Sequence, residues 1–145
     1  MSALLSASGL YRARKCPAAY ALPEVRTTNE AQRTGVSGHK FLEKIALGVS
    51  LTEALEVTTE AERKLFESID LSKIPQGQPE VSFRFNILTG EADIVNAPNR
   101  SYEDNPRYVF GTCDLVCDDR VIDWKFTVYN DDFALYKEQL EFYAM

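Results

Sequence analysis

The stretch YVFGTCDLVCDDRVIDWKF, Tyr108 to Phe126, decides how the chain is read. Two runs of strand-forming residues flank Asp118, Asp119 and Arg120, which read as a hairpin turn. Side chains alternate between the faces of a strand, so Ile122, Trp124, Phe126 and Val128 share one face. Val121, Asp123, Lys125 and Thr127 take the other. The apolar set can pack on helices while the Asp–Lys set lines a cleft. If Val116 pairs with Val121, Asp114 falls opposite Asp123; a slip of one residue sends them to different faces. Carboxylates that face each other repel unless a cation lies between them. That pairing makes a candidate site for magnesium or manganese, which favour oxygen ligands. Lys125, two residues beyond Asp123, would then reach a phosphate or a metal-bound water. The plainer reading is an exposed Asp–Lys pair on a hairpin, the commoner meaning of D-x-K by itself.

Outward from this hairpin the chain divides into a helical part, residues 1–73, and a part with the sheet and a last helix, residues 80–145. Ser6 or Ser8 can cap a short helix that stops before Pro17. Asn29 with Gln32 has capping-box spacing and predicts a helix from there to Gly48. Thr52 and Thr59 are expected to cap two more, Thr59 with Glu62 at box spacing. After SKIPQGQP, Val81, Phe83, Phe85 and Ile87 alternate with polar residues as a half-buried strand does. The expected strands are Val81–Ile87, Glu91–Val95, Tyr108–Cys117 and Val121–Val128. NDDFALYKEQLEFYAM begins with cap residues and continues as a helix.

A chain of 145 residues fits a single domain, 1–145, with a core of useful size. Its 45% hydrophobic and 11% aromatic content excludes a disordered chain. No apolar run approaches the roughly 18 residues of a membrane span, and the start does not read as a secretory signal. Three cysteines without a repeated CxxC pairing suit a reducing cytoplasm. The net charge of −6 is unevenly spread. Residues 1–50 carry seven Lys/Arg against three Asp/Glu, and the rest nine against nineteen. The basic segment can meet phosphates and the acidic one cations, although an ordinary solvated surface has the same composition.

Taken together, the pieces resemble the RecB-type branch of the PD-(D/E)XK nuclease superfamily, which includes CRISPR-associated and phage exonucleases. SASGLYRARKCPAAYAL resembles the family's S-x-S-x-L…C-P-x-x-Y entry, with Ser6, Ser8, Leu10, Cys16, Pro17 and Tyr20 in place. GVSGHKFLE resembles the G-x-x-x-H-x-x-L-E helix through Gly35, His39, Leu42 and Glu43. PEVSF resembles the strand before the core, GTCDLV the G-x-x-D-x-V strand and VIDWKF the D-x-K strand. QLEFY fits Q-x-x-x-Y, with Gln139 and Tyr143 on one helical face. The blocks run in order along nearly the whole chain.

The resemblance implies an α/β fold with a restriction-endonuclease-like core, a mixed central sheet flanked by helices. It implies a divalent-metal-dependent DNA nuclease, usually acting from ends; the alternative is a non-catalytic relative that binds DNA or a protein. Asp114 and Asp123 would ligate magnesium or manganese with the Trp124 carbonyl and the His39 imidazole. Lys125 would position or deprotonate the attacking water, and Gln139 and Tyr143 would orient Lys125 or a phosphate. His39 also reads as a core or surface histidine, and Gln139 and Tyr143 as an amphipathic face. Glu43 and Glu80 fall in matched blocks and read equally as caps or surface acids. GEADIV, with Asp93, mimics GTCDLV but has no D-x-K strand behind it. Relatives with an iron–sulfur cluster place three further cysteines near the end of the domain; only Cys16 has a counterpart here, so no cluster is expected. The family core adds a strand after the Gln/Tyr helix, and this sequence finishes inside that helix. The expectation is a truncated piece, or a second copy or partner chain that completes the sheet.

Overall fold

Capping chemistry sets the helices of the first half. A computed structural model describes residues 6–18, 29–95, 107–126 and 133–144. A 3-10 turn at Ala7–Gly9 leads into α1, Leu10–Lys15. The second helix, α2, spans Glu30–Ala46 and opens with both halves of the expected capping box. The Gln32 N–H donates to Asn29 Oδ1 at 2.9 Å, and the Asn29 N–H to Gln32 Oε1 at 3.2 Å. Gly48 follows with φ of +79°, the left-handed geometry that ends helices and suits glycine. Thr59 and Glu62 close a second box at the start of α4, Glu60–Glu67. Between them, α3 is Leu51–Leu55 and its cap is Ser50, whose hydroxyl accepts the Glu53 N–H. Thr52, the expected cap, lies inside that helix. Ser50 is the residue with extended backbone before the first turn, which is what a cap requires.

The strands are β1, Gln78–Asn86; β2, Ala92–Ile94; β3, Tyr108–Val116; and β4, Val121–Ile122, ordered β2-β1-β3-β4. The final helix is α5, Phe133–Tyr143. Where registers are described, pairing is antiparallel: Phe83 with Ile94 and Phe85 with Ala92, Leu115 with Ile122 and Val116 with Val121. The expectation of a mixed sheet narrows accordingly. A parallel contact among the described residues is the isolated bridge between Ser6 and Phe110. The register of β3 on β4 is the one that aims Asp114 and Asp123 at the same side. Yet β4 ends at Ile122, well short of the expected Val128; residues 123–126 are not ladder-bonded, and residues 127 and 128 lie outside the described set.

The chain folds as two compact units, Met1–Val25 with Val81–Cys113 and Asp131–Met145, and Arg26–Glu80 with Asp114–Asn130. In the first, Ala7, Val109 and Phe142 are buried, with Leu10, Phe83, Phe85 and Tyr143 packed on them. Phe83 and Phe85, the alternating residues of β1, meet the Phe142 ring at 5.5 and 5.7 Å. Gly111 lets this happen: a Cβ there would lie 2.7 Å from the Phe83 ring and 2.9 Å from that of Tyr143. In the second unit Phe41, Leu42, Ala54, Leu55 and Phe66 form the core, and Trp124 and Phe126 pack against it as the alternation predicts. Among the described residues no helix is long and apolar enough to cross a membrane.

Phe66 is the hub of the second core. It is fully buried, stacks on Phe41 at 5.1 Å and meets Phe126 edge-on at 5.7 Å. Phe66→Ala leaves a cavity beneath both rings and is expected to lower unfolding stability by about 3–5 kcal/mol. Urea titration followed by tryptophan fluorescence checks this, because Trp124 reports on the same core.

Candidate metal centre

All the residues of the centre belong to the second unit, and α2 supplies the first of them. Its buried face is Gly38, Phe41 and Leu42, so His39 stands at the margin of that face with its side chain 32% exposed. Gly38 has a specific job here. A Cβ at that position would lie 2.4 Å from the Phe126 ring, so only glycine lets the chain after β4 approach α2 this closely. The His39 and Phe126 rings are then 5.8 Å apart.

Asp114, in β3, receives what this approach delivers. Its Oδ1 lies 3.2 Å from His39 Nδ1, and its Oδ2 accepts the Trp124 N–H at 2.6 Å. This explains the early end of β4. At Trp124 the backbone donor is taken by a carboxylate instead of a ladder carbonyl, so regular pairing stops after Ile122. The Asp114 side chain is only 11% exposed, and a buried carboxylate needs such partners. The Trp124 N–H thus bonds to the centre while its indole packs on the core.

Asp123 is more deeply buried than Asp114, its side chain 5% exposed, and its carboxylate pairs with Lys125 Nζ. The Asp–Lys pair is therefore not the exposed one of the plainer reading. Burial raises the Asp123 pKa above its ordinary 3.8; Lys125 opposes the rise and Asp114 adds to it. The His39 pKa is raised above 6.5, first by the hydrogen bond to Asp114, with burial opposing. Asp123 and Lys125 also act on the imidazole. These four side chains thus share one electrostatic environment.

The tightest convergence of donors also includes a residue that sequence reading left ambiguous. One ligand atom each from His39, Glu80 and Asp114 lie within 4.8 Å of one another, a nitrogen and two carboxylate oxygens suited to a divalent ion. Glu80 is the third residue of β1, and a glutamate at the edge of a strand gives no local sign of such a role. Counting Asp123, three carboxylates lie in this region with one lysine and one histidine. A divalent cation would relieve that imbalance.

Gln139 and Tyr143 lie in the first unit, where Gln139 Nε2 donates to Tyr143 Oη at 2.7 Å. The Tyr143 hydroxyl donates to the Thr112 carbonyl of β3 at 2.9 Å. Gln139 is buried, and what is seen of the pair is a bond to a strand backbone. Asp93, the mimic, is an exposed acid paired with Arg84 at 3.2 Å. Cys16, Cys113 and Cys117 are not joined in disulfides, and Cys113 is buried in β3.

Comparison with protein-family models, with curated proteins and with solved structures finds no match.

The raised pKa of His39 makes a signed prediction. A histidine whose folded pKa lies above its unfolded 6.5 contributes stability that is complete below that pH. The contribution is lost as pH rises through the folded value. In metal-free buffer, melting temperatures measured between about pH 6 and 9 are expected to show a stability gap between the parent and His39→Gln that closes as pH rises.

Proposed function

We propose that the chain is a divalent-metal-dependent deoxyribonuclease of the RecB-type PD-(D/E)XK kind, hydrolysing phosphodiester bonds. The observation that carries this reading is the Asp114 carboxylate, held between the His39 imidazole at 3.2 Å and the Trp124 N–H at 2.6 Å, beside the buried Asp123–Lys125 pair. Residues 39, 114 and 123–125 come from separate stretches of sequence, and they are the positions that the resemblance marks. A structural ion pair gives no reason for that coincidence. The donor set of nitrogen and carboxylate oxygens fits magnesium or manganese. Bound there, such an ion lowers the pKa of water and offsets the charge that develops on phosphate.

The protein's own groups divide the remaining work. Lys125 brings a positive charge next to Asp123, where it can hold a phosphate oxygen or the attacking water. Asp123, buried and raised in pKa, holds that ammonium in place. Arg33 and Lys40 are exposed on α2 and Lys44 lies part-buried on it. At 100° per residue, 33, 40 and 44 fall within about 40° of one another around the helix, a basic line for backbone phosphates on the element that carries His39. The Gln139–Tyr143 pair supports β3 through Thr112.

The decisive measurement is manganese- or magnesium-dependent cleavage of linear single- and double-stranded DNA. The parent is expected to cut, and Lys125→Ala to cut about a hundredfold more slowly, the scale on which a positioned charge-stabilising group acts. DNA affinity should persist in that variant and weaken with added salt. Equal rates for parent and variant would reduce Lys125 to a structural partner of Asp123. A parent that binds DNA but never cuts it leaves the non-catalytic relative as the reading.

A further inference from the structure

We propose that the outer edge of β2 is a docking site for an extended segment of another protein, one that alternates apolar with basic side chains and adds a strand to the sheet. The residues that form this edge belong to the first unit. The proposal therefore goes beyond the nuclease reading and stands without it.

The backbone sets the mode of binding. In the strand order β2 comes last on its side, and among the described residues no strand lies beyond it. Its inner side is bonded to β1 at both ends. The Asn86 N–H donates to the Glu91 carbonyl and the Val95 N–H to the Ser82 carbonyl, each at 2.8 Å. Bonded and non-bonded pairs alternate along an antiparallel ladder. Asp93, opposite Arg84, therefore turns its backbone groups towards β1, while Ala92 and Ile94 turn theirs away. Two donors and two acceptors line the outer edge at a two-residue repeat of about 7 Å. Another extended backbone matches that row. Lysine and proline commonly blunt such edges, and residues 91–95 contain neither.

The side chains say what the added strand carries. Ile94 pairs with Phe83 and so shares the face on which Phe83 and Phe85 meet Phe142. Yet Ile94 is 67% exposed, so the apolar face runs past its cover at β2. An apolar residue beside Ile94 on a further strand buries both. On the opposite face stand Glu91 and Asp93, both exposed. Residues 85–95 contain no lysine or arginine, and Arg84 of β1 is the cation that meets Asp93. Basic side chains on the added strand supply the missing charge, since opposite charges across strands attract. A second copy of this chain fits badly. Two β2 edges related by a two-fold axis through Asp93 set Asp93 against Asp93, and like charges directly opposite are destabilising. The occupant is therefore a basic partner strand.

The test uses the full chain and a short, end-capped, dye-labelled peptide of alternating valine and lysine, followed by fluorescence anisotropy at about 0.15 M salt. Saturable binding is expected. The same peptide with alternate backbone nitrogens methylated keeps its charge and side chains but loses two hydrogen bonds, and should bind about tenfold more weakly. Ala92→Pro removes one outward donor and no ladder bond, a place where an edge strand tolerates proline. It should melt with the parent and bind the peptide more weakly. Ile94→Lys, at an exposed position, should weaken binding by about tenfold or more through lost apolar contact and added repulsion. A valine–glutamate peptide should not bind. Equal affinity for the methylated peptide, or parental affinity in both variants, overturns the proposal and leaves a charge attraction only. Absence of saturable binding up to millimolar peptide overturns it as well. A parent that dimerises in light scattering, and is made monomeric by Ala92→Pro, assigns the edge to a second copy and overturns the basic partner.

Discussion

The second unit turns on one carboxylate. Asp114 is mostly removed from water, and each of its oxygens is engaged, one facing His39 on α2 and the other accepting the Trp124 N–H. Hydrogen bonds to a charged group are worth about 1.5–3 kcal/mol, more than neutral ones. Leaving such a carboxylate buried without them would cost more again. Two features that look independent follow from this. The β3–β4 ladder stops at Ile122 because the next inward donor is taken by a side chain. Gly38 is needed because the chain from Trp124 to Phe126 must come close to α2 for the carboxylate to reach both partners.

The hydrophobic core beneath supplies the rigidity. Trp124 and Phe126 are anchored on Phe41, Leu42 and Phe66, so the alternate residues Asp123 and Lys125 are held on the opposite side with little freedom. This is why an Asp123 carboxylate can stay buried at all. Its pKa rises because burial disfavours the charge, and the Lys125 ammonium offsets part of that cost. An ion pair of this kind is weak evidence for stability. Its value is in direction, since a lysine tied to a buried partner presents its charge in a fixed place.

The first unit has a different logic. Its polar element is a relay from Gln139 through the Tyr143 hydroxyl to the Thr112 carbonyl, framed by Phe83 and Phe142 and by the close approach of the rings that Gly111 allows. A strand carbonyl satisfied by a tyrosine on a packed helix fixes the helix against the strand by a polar contact as well as by burial. The spacing that places Gln139 and Tyr143 on one helical face also lets them bond to each other.

Much of this was legible in the sequence because its causes are local. Asn29 with Gln32 and Thr59 with Glu62 are boxes closed within one turn, and they formed as spaced. Alternation over Val81–Phe85 and Ile122–Phe126 determined which residues face a core, and the short turn after Val116 set the register that aims Asp114 toward the D-x-K segment. Other features were decided by tertiary structure. Ser50 displaced Thr52 as a cap, since where a helix starts depends on how the preceding chain enters it. The Tyr143 bond to Thr112 joins residues 31 apart, and no pattern within a helix names its partner on a strand. Glu80 is the clearest case. Its left-handed backbone and its nearness to His39 and Asp114 arise from three segments meeting, whereas sequence periodicity describes each segment alone.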